Sequence, residues 1–162
     1  MRIFSGTYNS KIDKGRCFLP AQFRKELPET GVAHLKINVT ENEQKYLEIY
    51  EDSDWIERID DLKNLIKYEP FDYDKEEIMQ SYVANFVDVE MDITSSKNAG
   101  RMLIPKKMLE AAGIKNEVVF VGTYGMVLMW DKEKYENRPT KNLKSRITEI
   151  AHATRTFPSS NG

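Results

Sequence analysis

Two stretches of this chain carry one pattern 85 positions apart, Gly15-Arg16-Cys17-Phe18-Leu19-Pro20-Ala21-Gln22-Phe23 and Gly100-Arg101-Met102-Leu103-Ile104-Pro105-Lys106-Lys107-Met108. Each reads Gly-Arg, three apolar residues, proline, two further residues and an apolar anchor. A second pair follows in the same order at an offset of 80, Leu47 to Trp55 against Val127 to Tyr135. The first copy therefore carries five extra residues, which the polar stretch Thr40 to Lys45 accommodates as a loop. Two copies in one chain bury a shared hydrophobic face, so this duplication constrains the fold more than any other feature.

Local pattern assigns the same elements to both copies. Cys17-Phe18-Leu19 and Met102-Leu103-Ile104 read as short buried strands, and Pro20 and Pro105 as first helical positions, where a missing N–H is harmless. The first short helix should end before Pro28, the second at Gly113 in a left-handed cap. Val32 to Val39 and Val118 to Val121 read as strands, each followed by a turn and the strand at Leu47 or Val127. Leading strands are expected at Ile3 to Tyr8 and at Val87 to Thr94, the latter alternating apolar and polar residues. Between the copies, Trp55, Ile59, Leu62 and Ile66 form one helical stripe, with Asp54 as its cap and Glu57 three residues on. Ile78, Tyr82 and Phe86 form another after the break at Glu69-Pro70-Phe71-Asp72. A tail helix with Leu143, Ile147, Ile150 and Ala151 on one face precedes a disordered end from Phe157. The expectation is an α+β fold. One domain spans 1–137, built of pseudo-repeats 1–68 and 84–137 around a helical connector 69–83, and a tail spans 138–162.

The formal net charge of −2 conceals segregation. Residues 1–27 hold six basic side chains against two acidic ones, and residues 93–115 hold five against one. The stretch 41–92 holds 17 acids and five bases, so two basic islands flank an acidic spacer. A polyanionic partner is therefore compatible with the average charge, with the acidic face turned away from it.

Other chemistries find little footing. Cys17 is the only cysteine, which excludes an internal disulfide and a cysteine-based metal cage and points to a reducing cytoplasm. No apolar run of about 18 residues suggests a membrane span, and the opening residues do not resemble a signal peptide. His34 and His152, the only histidines, sit near no nucleophile motif and read as structural or surface residues. Asp72-Tyr73-Asp74-Lys75-Glu76-Glu77 begins like a calcium loop but puts Glu77 where glycine must turn the chain. Trp55 and Trp130 read as core or subunit-contact anchors. We expect no enzyme, no cofactor, no metal and no small-molecule substrate.

Phe4-Ser5-Gly6-Thr7-Tyr8, Ile12-Asp13-Lys14-Gly15-Arg16 running into Phe18-Leu19-Pro20, and Gly113-Ile114-Lys115-Asn116-Glu117-Val118-Val119 with Met129-Trp130-Asp131 resemble the MraZ family, over roughly Phe4 to Tyr135. The resemblance implies two AbrB-like swapped-hairpin halves forming a small β-barrel. It also implies a nucleoid-associated regulator that binds double-stranded DNA, a repressor acting on repeated sites upstream of a bacterial division and cell-wall gene cluster, assembled as a homo-oligomeric ring. The family hallmark, Asp, three residues, then Arg, is altered twice. Only two residues separate Asp13 from Arg16, and Asp92 lies nine positions before Arg101, with Lys97 four before it.

Carried over on this resemblance, Arg16 and Arg101 are the DNA-contacting residues. A guanidinium can meet phosphate or the O6 and N7 of guanine, and Gly15 and Gly100 let the turns approach the duplex. Lys11, Lys14 and Lys97 would add phosphate contacts, and Asp13 and Asp92 would support the loops. Weak binding per tip, multiplied by avidity around a ring, would give strong binding to tandem sites. The alternative is a ring-forming scaffold whose basic loops bind a protein partner instead of DNA.

Overall fold

A computed structural model describes residues 2–24, 31–68, 74–93, 97–139 and 143–156. The first copy runs through β1 (Thr7–Lys11), β2 (Arg16–Phe18), α1 (Ala21–Arg24), β3 (Val32–Val39) and β4 (Lys45–Glu51). Helices α2 (Asp52–Lys67) and α3 (Lys75–Ala84) connect it to the second, which repeats the series as β5 (Val87–Glu90), β6 (Arg101–Leu103), α4 (Lys106–Ala112), β7 (Glu117–Gly122) and β8 (Val127–Asp131). Helices α5 (Lys132–Glu136) and α6 (Leu143–Thr156) close the chain. The mixed α+β architecture is the one the sequence leads us to expect.

The copies exchange their leading strands. β1 of the first pairs antiparallel with β7 of the second, Thr7 opposite Val121, and β5 of the second pairs with β3 of the first, Val32 opposite Glu90. The six-stranded sheet has the order β1-β7-β8-β4-β3-β5, and β2 and β6 form a separate two-stranded ribbon. Register reveals a pseudo-twofold axis. In the ribbon, Cys17 faces Met102, while Arg16 faces Leu103 and Phe18 faces Arg101. In the large sheet, Glu48 faces Leu128, flanked by Leu47 opposite Met129 and Ile49 opposite Val127. Repeat-equivalent residues that meet antiparallel are what a twofold axis produces at an isologous contact.

The barrel expected from the family resemblance is not closed. β1 and β5 are the edges of the open sheet, and the ribbon adjoins it through isolated bridges, Asp13 to Arg16 and Met91 to Met102. β2 and β6 are only three residues long, and Pro20 and Pro105 stand just beyond them without an N–H to extend a ladder.

The core lies between ribbon, short helices and sheet, with Leu19, Phe23, Leu35, Leu47, Met102 and Phe120 at 2% exposure or less. Each such side chain contributes about 1.5–3 kcal/mol of burial. Phe23 anchors the first short helix, meeting the rings of Phe4 and Tyr8 edge-on at 5.7 and 5.1 Å.

Several local expectations shift. The apolar triplets are not wholly buried, because strands alternate faces: Cys17 and Leu19 point inward and Phe18 outward, Met102 and Ile104 inward and Leu103 outward. Each proline stands one position before its helix. The cap of α2 is Glu51, whose carboxylate accepts the Ser53 N–H at 3.0 Å, because the helix starts directly from β4. Asp54 lies inside the helix and receives Arg2 Nε at 2.9 Å. Trp55, Ile59, Leu62 and Ile66 do form the half-buried stripe. In α3 the buried residue is Met79, Ile78 being 51% exposed, and Phe86 falls beyond the helix to meet Tyr82, Tyr50 and Trp55 edge-on. Gly113 ends α4 in the left-handed conformation, φ 66°. The end of the first short helix before Pro28, the break at Glu69 to Asp72 and the segment from Phe157 lie outside the described residues. No helix among the described residues is long and apolar enough to cross a membrane.

Candidate nucleic-acid interface

The ribbon is held at each end by a turn that presents an arginine. In the first copy, Asp13 N–H donates to the Arg16 carbonyl at 3.0 Å and Arg16 N–H to the Asp13 carbonyl at 2.9 Å. Lys14 and Gly15 between them have φ of 51° and 82°, both left-handed. This is the two-residue hairpin turn of type I′, which requires positive φ at both central positions. The shortened Asp-to-Arg spacing is the spacing such a hairpin needs. A Cβ on Gly15 would also stand 2.9 Å from the Ile104 carbonyl oxygen, so glycine is required there for space as well as conformation.

The second copy reaches a related geometry by a longer path. Asp92 N–H donates to the Arg101 carbonyl at 2.9 Å, the counterpart of the Asp13 to Arg16 bond. Gly100, φ 84°, precedes Arg101 as Gly15 precedes Arg16. Gly100 N–H donates to the Asp92 carbonyl at 2.6 Å and Arg101 N–H to the Asn98 carbonyl at 3.0 Å. Asp92 is thus the positional equivalent of Asp13 despite the inserted residues. Leu19 N–H donates to the Gly100 carbonyl and Ile104 N–H to the Gly15 carbonyl, both at 2.9 Å, tying each copy to the other's turn. Arg24 Nη1 donates to the Ala99 carbonyl.

Alternation then sorts the ribbon's side chains. Cys17 and Met102 face the core, while Arg16, Phe18, Arg101 and Leu103 share the outer face. Arg16 and Arg101 are exposed, and neither guanidinium makes a hydrogen bond or ion pair with the described residues. Arg2 differs: its Nη2 is 3.0 Å from Glu51 and it also holds Asp54. Lys14 and Lys97 are exposed in the two turns. Lys11, at the end of β1, stands apart, lining a separate open concavity with Lys115 and Lys132. Both arginines line a concavity of about 810 Å3, which Glu90 and Asp92 border on the β5 side. The arrangement offers two guanidinium groups, unpaired among the described residues and related by a dyad, with acids on one flank.

Nucleophilic chemistry is disfavoured at this place. Burial pushes the Cys17 thiol up to about 12, so it stays protonated. Among the described residues there is no group of three or more His, Cys, Asp or Glu that could hold a metal ion.

Phe18, Leu103 and Arg24 are the residues of this region that the sequence reading leaves out. The first two carry a signal, the two-residue period of a strand around Cys17 and Met102. Arg24 carries none, since Ala99 lies 75 residues away.

Comparison with known proteins places these features in a wider set. The family described as MraZ protein, antitoxin-like, matches residues 3–71 and again residues 87–157, once for each copy. A protein named Transcriptional regulator MraZ from Lachnoclostridium phytofermentans is 32% identical over 142 residues, covering 87% of this chain and 90% of that protein. One of the same name from Bacteroides fragilis is 35% identical, covering 82% and 80%. Another from Nitrosospira multiformis is 34% identical, covering 80% and 82%.

Proposed function

Because the chain belongs to the MraZ family, we propose that it is a DNA-binding transcriptional regulator that contacts double-stranded DNA through Arg16 and Arg101. The observation that carries this reading is the pair of exposed guanidinium groups on one ribbon, unpaired with the described residues and related by the pseudo-dyad. Lys14 and Lys97 in the turns, and Lys11 beyond them, supply phosphate contacts, and the backbone pairs at Asp13 and Asp92 hold the turns. The exchange of β1 and β5 between copies supports the swapped-hairpin reading of the fold.

The finer reading is a repressor of its own division and cell-wall cluster, acting on repeated upstream sites as a ring of identical subunits in the cytoplasm. One ribbon offers few contacts, and each phosphate neutralised changes log K by a slope of about 0.9 against log salt. Repetition around an assembly supplies the remainder by raising effective concentration.

The test is the double variant Arg16→Ala/Arg101→Ala, assayed by mobility shift on DNA upstream of the encoding gene, beside duplexes carrying one repeat or three. Affinity should fall more than tenfold, since one good bidentate contact is worth about 1–3 kcal/mol. Assembly size should not change. Unchanged affinity would refute the assignment and favour a protein partner for the loops; equal affinity for one repeat and three would refute the avidity.

A further inference from the structure

We propose that Phe18 and Leu103 read thymine methyl groups in the major groove, flanking the arginines as apolar specificity contacts; this rests on the DNA-binding reading above. The two occupy equivalent positions of the repeat and are 42% and 61% exposed. A single exposed apolar residue needs no explanation. Here each stands opposite the arginine of the other copy, Arg16 against Leu103 and Phe18 against Arg101, so the outer face is a two-by-two array of guanidinium and apolar groups. The duplication has kept both kinds of residue facing water, although the inner positions of the same strands are fully buried.

The dimensions suit a duplex. A two-stranded ribbon fits the major groove, about 12 Å wide. Residues i and i+2 on a strand lie roughly 6.8 Å apart, about two base-pair steps at 3.4 Å each. When Arg16 meets a guanine, Phe18 therefore meets a base about two steps away, and Arg101 and Leu103 repeat the relation in the opposite direction. The thymine C5-methyl is the apolar group that base pairs present in this groove. Lys14 and Lys97, exposed in the turns at opposite ends of the ribbon, are placed to meet phosphates on either side of the groove.

The experiment selects a randomised duplex pool on the full chain, then replaces thymines of the selected sequence by uracil, which deletes only the methyl. Native protein should bind the uracil duplex about fourfold more weakly for each contacted thymine, the effect of one buried methyl-sized group. The double variant Phe18→Ala/Leu103→Ala should bind thymine and uracil duplexes equally, and each single variant should lose only its own share of the discrimination, with the salt slope and assembly size of the native chain. A selected sequence without thymine, equal native binding to both duplexes, or a double variant that keeps the discrimination would overturn the proposal. So would a change in assembly size with discrimination intact, which would make the pair subunit contacts. If Arg16→Ala/Arg101→Ala leaves affinity for the selected duplex unchanged, the DNA reading itself is what has failed.

Discussion

Cys17 and Met102 hold the same position in the two copies and face each other in register across the ribbon, both buried beneath it. Their side chains are the floor on which the outward arginines stand. Met102 is 1% exposed, so Met102→Ala leaves a cavity under both strands and should cost about 2–5 kcal/mol. Arg101→Ala, next to it on the outer face, should cost less than about 0.5 kcal/mol. Urea unfolding of the two variants checks the contrast, and equal losses would mean that the ribbon is not seated on the core.

Alkaline pH should loosen the same place. Burial raises the Cys17 thiol from 9.0 to about 12, and raises Tyr50 as well, with Glu48 adding to the effect. Between those values the unfolded thiol has released its proton and the native one has not, so stability falls as pH rises above about 9. One such group contributes up to about 1.4 kcal/mol per pH unit across that window. Urea midpoints at pH 8 and 10.5 should drop further for the native chain than for Cys17→Ala, and parallel drops would exclude Cys17 as a source.

Much of this organisation is legible in the chain because duplication writes it twice. Offsets of 85 and 80 identify the elements, and the same offsets reappear as the residue pairs on the pseudo-dyad. What stays hidden is whatever depends on which face a side chain takes or on a distant partner. Phe18 and Leu103 look like core by composition, and only pairing with a second strand shows which way they turn. Asp54 does not cap α2, which starts directly from β4 with Glu51 as its cap; the Asp54 carboxylate instead holds Arg2, some fifty residues earlier, a partner that no local pattern reveals. Closure of a barrel depends on ladder length, which a local pattern does not encode.

Gly15 tests the hairpin geometry. Its φ of 82°, together with an Ile104 carbonyl oxygen only 2.9 Å from where a Cβ would stand, excludes a side chain without local rearrangement. Gly15→Ala should destabilise the fold by about 1–3 kcal/mol, the range for strain at such a conformation. Thermal melting measures it, and a neutral result would mean that the turn has another shape in solution.

His34 joins three elements. Its Nδ1 lies 2.6 Å from Asp88 at the start of β5, its Nε2 lies 2.7 Å from Asp52 in the first turn of α2, and its ring stacks on Trp55 at 4.0 Å. It is 4% exposed, so His34→Ala removes a buried ring and both polar contacts. The expected loss is about 2–4 kcal/mol. A double-mutant cycle of His34→Ala with Asp88→Ala should give a coupling above about 0.5 kcal/mol. No coupling would mean that the contact with Asp88 adds nothing to holding the exchanged strand on β3.

Arg24 distinguishes the two turns. The first is closed by its own backbone bonds between Asp13 and Arg16, whereas the second also takes a hydrogen bond from Arg24 to the Ala99 carbonyl, with the arginine stem against Gly100. One such bond is worth about 1 kcal/mol, roughly fivefold in an equilibrium constant. Arg24→Ala should therefore loosen the Arg101 turn and weaken DNA binding several-fold while leaving the Arg16 turn as it is. Placed on Arg16→Ala, the change should act in full; placed on Arg101→Ala, it should add nothing, because the contact that it positions is already gone. Equal effects on both backgrounds would exclude positioning of the second turn. If they came with a salt slope lowered by about 0.9 each time, Arg24 would be touching phosphate directly.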